Sequence, residues 1–436
     1  MSNVNSRSVP KPFEWLSGGL FFGNQNKGDD AETTIDSEQD VKSLLSQIQD
    51  DLNTVESSPG NDKQSSSLTS SSSLAASLAR LRFLLYNERR ITTQQADNLN
   101  QRGTPSVALD IVENLSDKAK ENTLRILIPE LINYLQLLPF ESRKHVAAIF
   151  NYLLVCGFDG ADRDIYIPIM NKFRDYIIMN FEAIVAPIVR GHGVSSASSN
   201  TGTTTDVALH CGSMYRSCFR HSSLYGQLVV TRRRVEQFVF PFIDEYTLLP
   251  NFDVSSDAME SLKLVMTAGT TCHGDGNNDS TAISQIDTNS QQEMAELAAT
   301  FLIRDYDAMW DQRFNLKLLS TEANYMTKRV ALQILSTVLL TRSNYEIMMK
   351  YVNSRTNLIL VMKLLRDTSP HITLDAFHVF KVFVANPNKI PEVEKILRDN
   401  SQKLCAYLET LHNDKEESDQ QFADEKRLII GTIRDL

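Results

Sequence analysis

The run Ala331-Leu-Gln-Ile-Leu-Ser-Thr-Val338 (A-L-Q-I-L-S-T-V) sets a small residue four positions ahead of Leu335 and seven ahead of Val338. The same arrangement recurs as Ala258/Leu262/Val265 and Ala376/Phe380/Phe383, with weaker counterparts starting at Ala147 and Ala208. Offsets of four and seven put the three side chains on one face of an α-helix. Successive alanines are separated by 61, 50, 73 and 45 residues. Removing about 15 and about 25 residues for two polar insertions leaves a period of roughly 45–50, close to that of armadillo and HEAT repeats. A unit of that size cannot bury its own apolar face, so stacked neighbours must share one continuous core. The predicted fold is all-α: an armadillo/HEAT-like helical-repeat solenoid, right-handed and curved, with a concave and a convex side.

Working outward, the apolar pattern stays helical. Asn122–Leu138 carries Leu124, Ile128, Leu131, Ile132 and Leu135 at spacings of three and four, and Gln312–Leu319, Lys328–Leu340 and Asn357–Leu365 show similarly wide apolar faces. The β-branched stretch Phe377–Val384 (F-H-V-F-K-V-F-V) would also suit a strand. Ser369 as a cap, Pro370 in the first helical position and Asn386-Pro387 as a stop make it a buried helix instead.

Three stretches are predicted to be disordered. The first, residues 1–75, is acidic and polar and ends in the serine run Ser65–Ser73. Within it, Val41, Leu44, Leu45, Ile48 and Leu52 predict one docked helix over 41–52. The second and third are insertions at 192–206 and 268–292, too polar to bury an ordering core. Residues 76–436 form the predicted repeat domain.

Composition narrows the function classes. The 436 residues include only 17 glycines and 13 prolines, which argues against a turn-rich all-β protein. The formal charge is −10, opposite to the bias of a general nucleic-acid binder. Five scattered cysteines (Cys156, Cys211, Cys218, Cys272, Cys405) fit a reducing compartment. The first 19 residues hold no apolar run of signal-peptide length, and the run Leu358–Met362 stops at Lys363. The expected location is cytoplasmic, with no nucleic acid or membrane span among the partners.

Candidate chemistry is sparse. His210, Cys211, Cys218 and His221 are the one Cys/His cluster, but zinc sites want shorter spacings, and a seven-residue step puts both thiols on one packed helix face. Asp275-Gly-Asn277-Asn-Asp279 opens like a calcium loop and then has Ser280 and Ile286 where Gly and Glu are required. Arg232-Arg233-Arg234 reads as a solvated helix face or helix end, and His378 as a core histidine. No phosphate loop, G-x-S-x-G or dinucleotide fingerprint occurs. The expectation is a protein without catalytic residues, metal or cofactor.

The C-terminal third carries a resemblance. Asn324–Arg329 (N-Y-M-T-K-R), Leu364–Asp367 (L-L-R-D) and Asp375–Lys389 (D-A-F-H-V-F-K-V-F-V-A-N-P-N-K) closely resemble the calcium-binding protein 39 family, the mouse-protein-25 scaffolds. So do Phe140–Phe150, Ala208–His221, Phe252–Ala258 and Phe422–Leu436, and together these cover most of residues 40–436. The polar insertions look like the expansions of fungal members.

The resemblance implies a non-catalytic adaptor of armadillo-like repeats that binds sterile-20-class kinases or pseudokinases on its concave face and holds them active. It also implies a C-terminal pocket for a short Trp-x-Phe tail. In fungi it implies a polarity and cell-separation pathway acting through a nuclear-Dbf2-related kinase. Carried over position by position, the partner-binding residues are Phe252, Tyr325, Arg329, Gln333, Tyr345 and Met362. Tyr345 replaces a phenylalanine of relatives, and Gln333 replaces a lysine, removing a positive charge. The alternative is a helical-repeat adaptor for extended peptides, such as a transport receptor or phosphatase scaffold. Phe13-Glu14-Trp15 has the composition of an aromatic anchor but lacks the Trp-x-Phe order.

Overall fold

The structure, a computed structural model, describes residues 37–56, 64–95, 106–116, 126–157, 163–193, 203–270, 288–320 and 322–436. Among these residues there is no β-strand. In chain order the α-helices are α1 (Ser37–Glu56), α2 (Gln64–Gln95), α3 (Ser106–Ser116), α4 (Leu127–Asn133), α5 (Phe140–Val155), α6 (Arg163–Met179) and α7 (Phe181–His192). There follow α8 (Thr203–Cys218), α9 (Ser222–Val229), α10 (Arg232–Phe238), α11 (Phe240–Asp244), α12 (Phe252–Met266), α13 (Thr288–Arg304) and α14 (Tyr325–Leu340). The last are α15 (Tyr345–Val352), α16 (Arg355–Leu364), α17 (Pro370–Ala385), α18 (Pro391–Asp399), α19 (Ser401–Thr410), α20 (Asn413–Ser418) and α21 (Gln420–Arg434). A π-helix, Asp307–Leu318, stands between α13 and α14.

The order has a three-helix period. One row of helices, α2, α5, α8, α12, α14, α17 and α21, packs each member against the next along the chain. A second row runs α1, α3, α6, α9, α13 and α15 in the same way. Of the remaining helices, α4, α7, α10 and α11, the π-helix and α16 fill the third side of successive units, while α18 packs on α16 and α19 and α20 pack on α21. Each unit buries its apolar face against both neighbours, so the fold is a helical-repeat solenoid with one continuous core.

The alanines that mark the sequence period all lie on the first of these rows. Ala147 sits on α5, Ala208 on α8, Ala258 on α12, Ala331 on α14 and Ala376 on α17, and each is buried. Their partners Leu262, Val265, Leu335, Val338, Phe380 and Phe383 are buried with them. A methyl group at the crossing point allows neighbouring helices to approach closely, while the larger residues one and two turns on fill the space between rows.

Several local expectations are met by identifiable devices. In α1, Val41, Leu45, Ile48 and Leu52 are buried against α2 and α3. In α17, Pro370 is the first helical residue and Asn386 the C-cap; Ser369 holds the N-cap position without a side-chain cap bond, its own N–H donating to Asp367 Oδ1 at 3.0 Å. Lys426, buried on α21, donates to the carbonyl of Leu411 and to Asn413 Oδ1, closing the end of α19. There His412 takes a left-handed conformation at φ 48°.

Elsewhere the structure differs from the pattern. Of the helix expected over Asn122–Leu138, residues 122–125 lie outside the described residues, and the remainder is α4 followed by turns at 134–137 that Arg143 fixes by donating to the carbonyls of Leu135 and Gln136. Ser65–Ser73, read as part of a disordered segment, lies inside α2: serine is only a mild helix opponent, and the face of Leu74, Leu78, Leu81 and Leu85 downstream propagates the helix backward. His192, placed at the start of an insertion, is the fully buried last residue of α7. Residues 288–292, placed in the third insertion, belong to α13. Within Gln312–Leu319 the backbone is π rather than α as far as Leu318. Phe13-Glu14-Trp15, Asp275–Asp279 and the middle of both insertions lie outside the described residues.

Two predictions follow from the core. Ala331→Leu should overpack the α14 crossing and lower stability by about 1–3 kcal/mol, read as a shifted urea midpoint with an unchanged slope. Burial pushes His192 down to about 3, and His221 and His378 down to about 4, so each is neutral in the folded chain and takes a proton on unfolding below about pH 6.5. Stability should therefore be flat from pH 6.5 to about pH 8, below the range where free thiols ionise, and fall between pH 6.5 and pH 4. The dependence of Tm on pH should be shallower in His221→Gln.

Candidate partner-binding surface

The surface grows from the way two helices of the first row begin. Asn251 Oδ1 accepts from the N–H groups of Asp253 and Val254, so α12 starts at Phe252. Asn324 Oδ1 accepts from the Thr327 N–H at 2.8 Å, so α14 starts at Tyr325. A first-turn side chain has no preceding turn to pack on, and both aromatics remain in solvent: Phe252 is 61% and Tyr325 39% exposed. Met326 and Leu248 are exposed beside them. The Thr327 hydroxyl donates to the Thr247 carbonyl at 3.4 Å, drawing the 3-10 turn Tyr246–Leu248 against the start of α14. Leu248, Phe252, Tyr325 and Met326 thus offer exposed apolar surface at the starts of two successive helices of the row.

Charge borders this surface. Arg329, one turn after Tyr325, places Nη1 3.5 Å from the Tyr325 hydroxyl and Nε 3.6 Å from Asp375 Oδ2 on α17. Lys328 donates to Asp367 Oδ2 at 3.2 Å. Both cations are therefore oriented from the next repeat before any partner arrives. Gln333, a further turn along α14, is half-buried, as is Arg329.

The six residues singled out by resemblance do not all meet. Phe252, Tyr325, Arg329 and Gln333 share the first row. Tyr345 begins α15, beyond the far end of α14, and α14 is about 22 Å long from Tyr325 to Leu340. There it lines an open groove of about 420 Å³ with Leu339, Leu340, Thr341, Arg342 and Met348. Met362 lies on α16, half-buried against the core. Leu248, Met326 and Leu340 belong to these surfaces and were not singled out from sequence. An apolar residue beside a cap looks like core until its neighbours are known.

The other candidates have local roles. Cys211 and Cys218 are buried, and burial raises both thiols, Cys211 to about 12, which opposes the thiolate a metal needs. His221 Nε2 donates to the Leu154 carbonyl at 2.7 Å. Among the described residues no group of three or more His, Cys, Asp or Glu side chains could hold a metal. Arg232 opens α10 and pairs with Glu236, while Arg234 lies 4.6 Å over the Phe181 ring. No described helix is long and apolar enough to cross a membrane.

The Mo25-like family model matches residues 30–273 and 288–436. This chain belongs to the Mo25-like family. The match breaks at 274–287, inside the third polar stretch of the sequence. A degreening-related dee76 protein of Auxenochlorella protothecoides is 34% identical over 70% of this chain and 78% of its own. Human calcium-binding protein 39-like is 33% identical over 74% of this chain and 80% of its own. The conidiophore development protein hymA of Emericella nidulans is 31% identical over 70% of this chain and 73% of its own. A designed armadillo repeat protein, YIII(Dq)4CqI, superposes on 79% of this chain at a TM-score of 0.31 and 12% identity, covering 99% of its own, too loose a match to add to the contacts above.

In this Mo25-like chain the exposed apolar surface at Tyr325 depends on the cap that starts α14. Asn324→Ala should cost about 1 kcal/mol and speed amide exchange in the first turn of α14, leaving the exchange of α17 unchanged.

Proposed function

We propose that the chain is a non-catalytic scaffold that binds a sterile-20-class kinase or pseudokinase and holds its catalytic domain in the active arrangement. The observation that carries this reading is the exposed apolar surface of Leu248, Phe252, Tyr325 and Met326, with Arg329 beside Tyr325, on helices fixed by a shared core. Aromatic residues and arginine on a rigid surface are the usual anchors of a protein interface, and a few of them supply most of the binding energy. A preformed surface also loses little entropy on binding. Family membership supports the scaffold role, and the name of hymA, a conidiophore development protein, agrees with a part in fungal morphogenesis.

Activation is a population shift. A kinase domain exchanges between active and inactive arrangements, and a scaffold favours the one it binds better. Taking that balance from 1:99 to 99:1 requires about 5.5 kcal/mol of differential binding. The second contact of this reading is a Trp-x-Phe tail taken up in the C-terminal third, where Met362 and the groove beside Tyr345 offer apolar surface. The nuclear-Dbf2-related kinase acts further along the same polarity and cell-separation pathway, and the scaffold works in the cytoplasm.

The test is activity of a purified sterile-20-class kinase with wild-type scaffold, Arg329→Ala and Met362→Ala, each variant first checked by circular dichroism. Arg329 is partly exposed and its ion pair is long, so its loss should leave the fold intact. Several-fold activation by wild type, lost in both folded variants, is the expected result. No activation and no binding by wild type would end the kinase reading. Cooperative loss of helical signal in Met362→Ala at room temperature would make Met362 a core residue.

A further inference from the structure

The helix α17 opens at Ser369-Pro370 without the cap that a serine in this position normally supplies. Two other α-helices begin after a hydroxyl residue that does cap. Thr231 Oγ1 accepts the Arg234 N–H at 3.3 Å to start α10, and Ser354 Oγ accepts the Asn357 N–H at 3.3 Å to start α16. Ser369 holds the equivalent place, but its hydroxyl does not bond the first turn. Its own N–H goes back to Asp367 Oδ1 at 3.0 Å, and Pro370 has no N–H to offer. Among the described residues the Ser369 hydroxyl has no hydrogen-bond partner.

The dipeptide is also presented to solvent. Thr368, Pro370 and His371 are exposed, and Ser369 is half-buried. Its backbone is extended at φ −88° and ψ 122°, the region to which a following proline restricts a residue. Residues 366–369 lie between the end of α16 and the start of α17. A first turn without a side-chain cap opens at low cost, so this stretch can straighten into the groove of a modifying enzyme. Serine followed directly by proline is the acceptor that proline-directed kinases take, because their groove leaves an N–H at the next residue without a partner.

We infer that Ser369 is a phosphorylation site for a proline-directed serine/threonine kinase, and that its phosphate resets the charge around Lys328. Ser369 Oγ forms a bond to the γ-phosphorus of ATP while the bond from that phosphorus to the β–γ bridging oxygen breaks. ADP leaves, and the hydroxyl proton passes to the kinase's base. The product carries about −1.5 to −2 charges at pH 7. Asp367 connects it to the exposed apolar surface: Oδ1 accepts from Ser369, and Oδ2 takes Lys328 at 3.2 Å. Lys328 stands on α14 beside Arg329, three residues after Tyr325. A phosphate on Ser369 repels Asp367 and offers the Lys328 ammonium a stronger acceptor. That this changes partner binding rests on the proposed function; the modification itself does not.

The experiment incubates the full chain with ATP and a purified mitogen-activated protein kinase. Ser58→Ala and Thr104→Ala remove the other two Ser/Thr-Pro steps of the sequence. Mass spectrometry should place one phosphate on Ser369, lost in Ser369→Ala and in Pro370→Ala, with circular dichroism checking each variant for folding. A peptide of residues 363–376 is the control. Phosphate on the peptide but not on the folded chain, or on neither, overturns the site. Phosphorus NMR then reads the charge coupling. The phosphate's second ionisation should come about 0.5 pH lower in the folded chain than in the peptide, and move back toward the peptide in Lys328→Gln. The same midpoint with and without Lys328 would overturn the link to that residue. No scaffold partner is present, so either result is independent of whether the chain binds a sterile-20-class kinase.

Discussion

Everything in this molecule depends on helices of one repeat having no core of their own. Ala147, Ala208, Ala258, Ala331 and Ala376 let each helix of the first row lie close to the next, and the larger residues one and two turns later seal the space behind them. Such a core is one-dimensional: each unit is stabilised by its nearest neighbours and transmits its position to them. A side chain at the surface of one repeat is therefore placed relative to its neighbour by buried contacts, without a rigid connection between them in sequence.

That explains how residues 73 positions apart in chain come to serve one surface. Phe252 and Tyr325 are each the first residue of a helix in the same row, each started by an asparagine cap. The repeat makes equivalent positions adjacent, so aromatic side chains stand at the spacing of the repeats. Arg329 is oriented by Asp375 from the following unit, so three repeats contribute to this surface. The buried histidines and thiols belong to the core and contribute its pH response rather than chemistry at the surface.

Much of the fold was legible in the sequence. The alanine period, the helix over Val41–Leu52 and the proline-opened helix ending at Asn386 were readable because each depends on spacing or on a residue with one strong local preference. Less legible were the serine run, whose polar composition concealed its position upstream of a strong leucine face, and α4, shortened by turns that an arginine of the next helix stabilises. Of the surface, the aromatic and arginine positions were marked by resemblance. Leu248 and Met326 carried no separate signal, because exposure of an apolar residue is a property of its neighbours.

By itself the sequence determined that this is an all-α repeat protein, since periodicity is local and a helix needs only its own face and its ends. Tertiary structure decided which of the six marked residues stand together. Phe252, Tyr325, Arg329 and Gln333 share one row, while Tyr345 and Met362 lie on the other two sides of their unit. It also decided that the backbone over Asp307–Leu318 is π. The physical reason is the same in each case: long-range side-chain geometry is set by packing against residues far away in the chain, which no local pattern encodes.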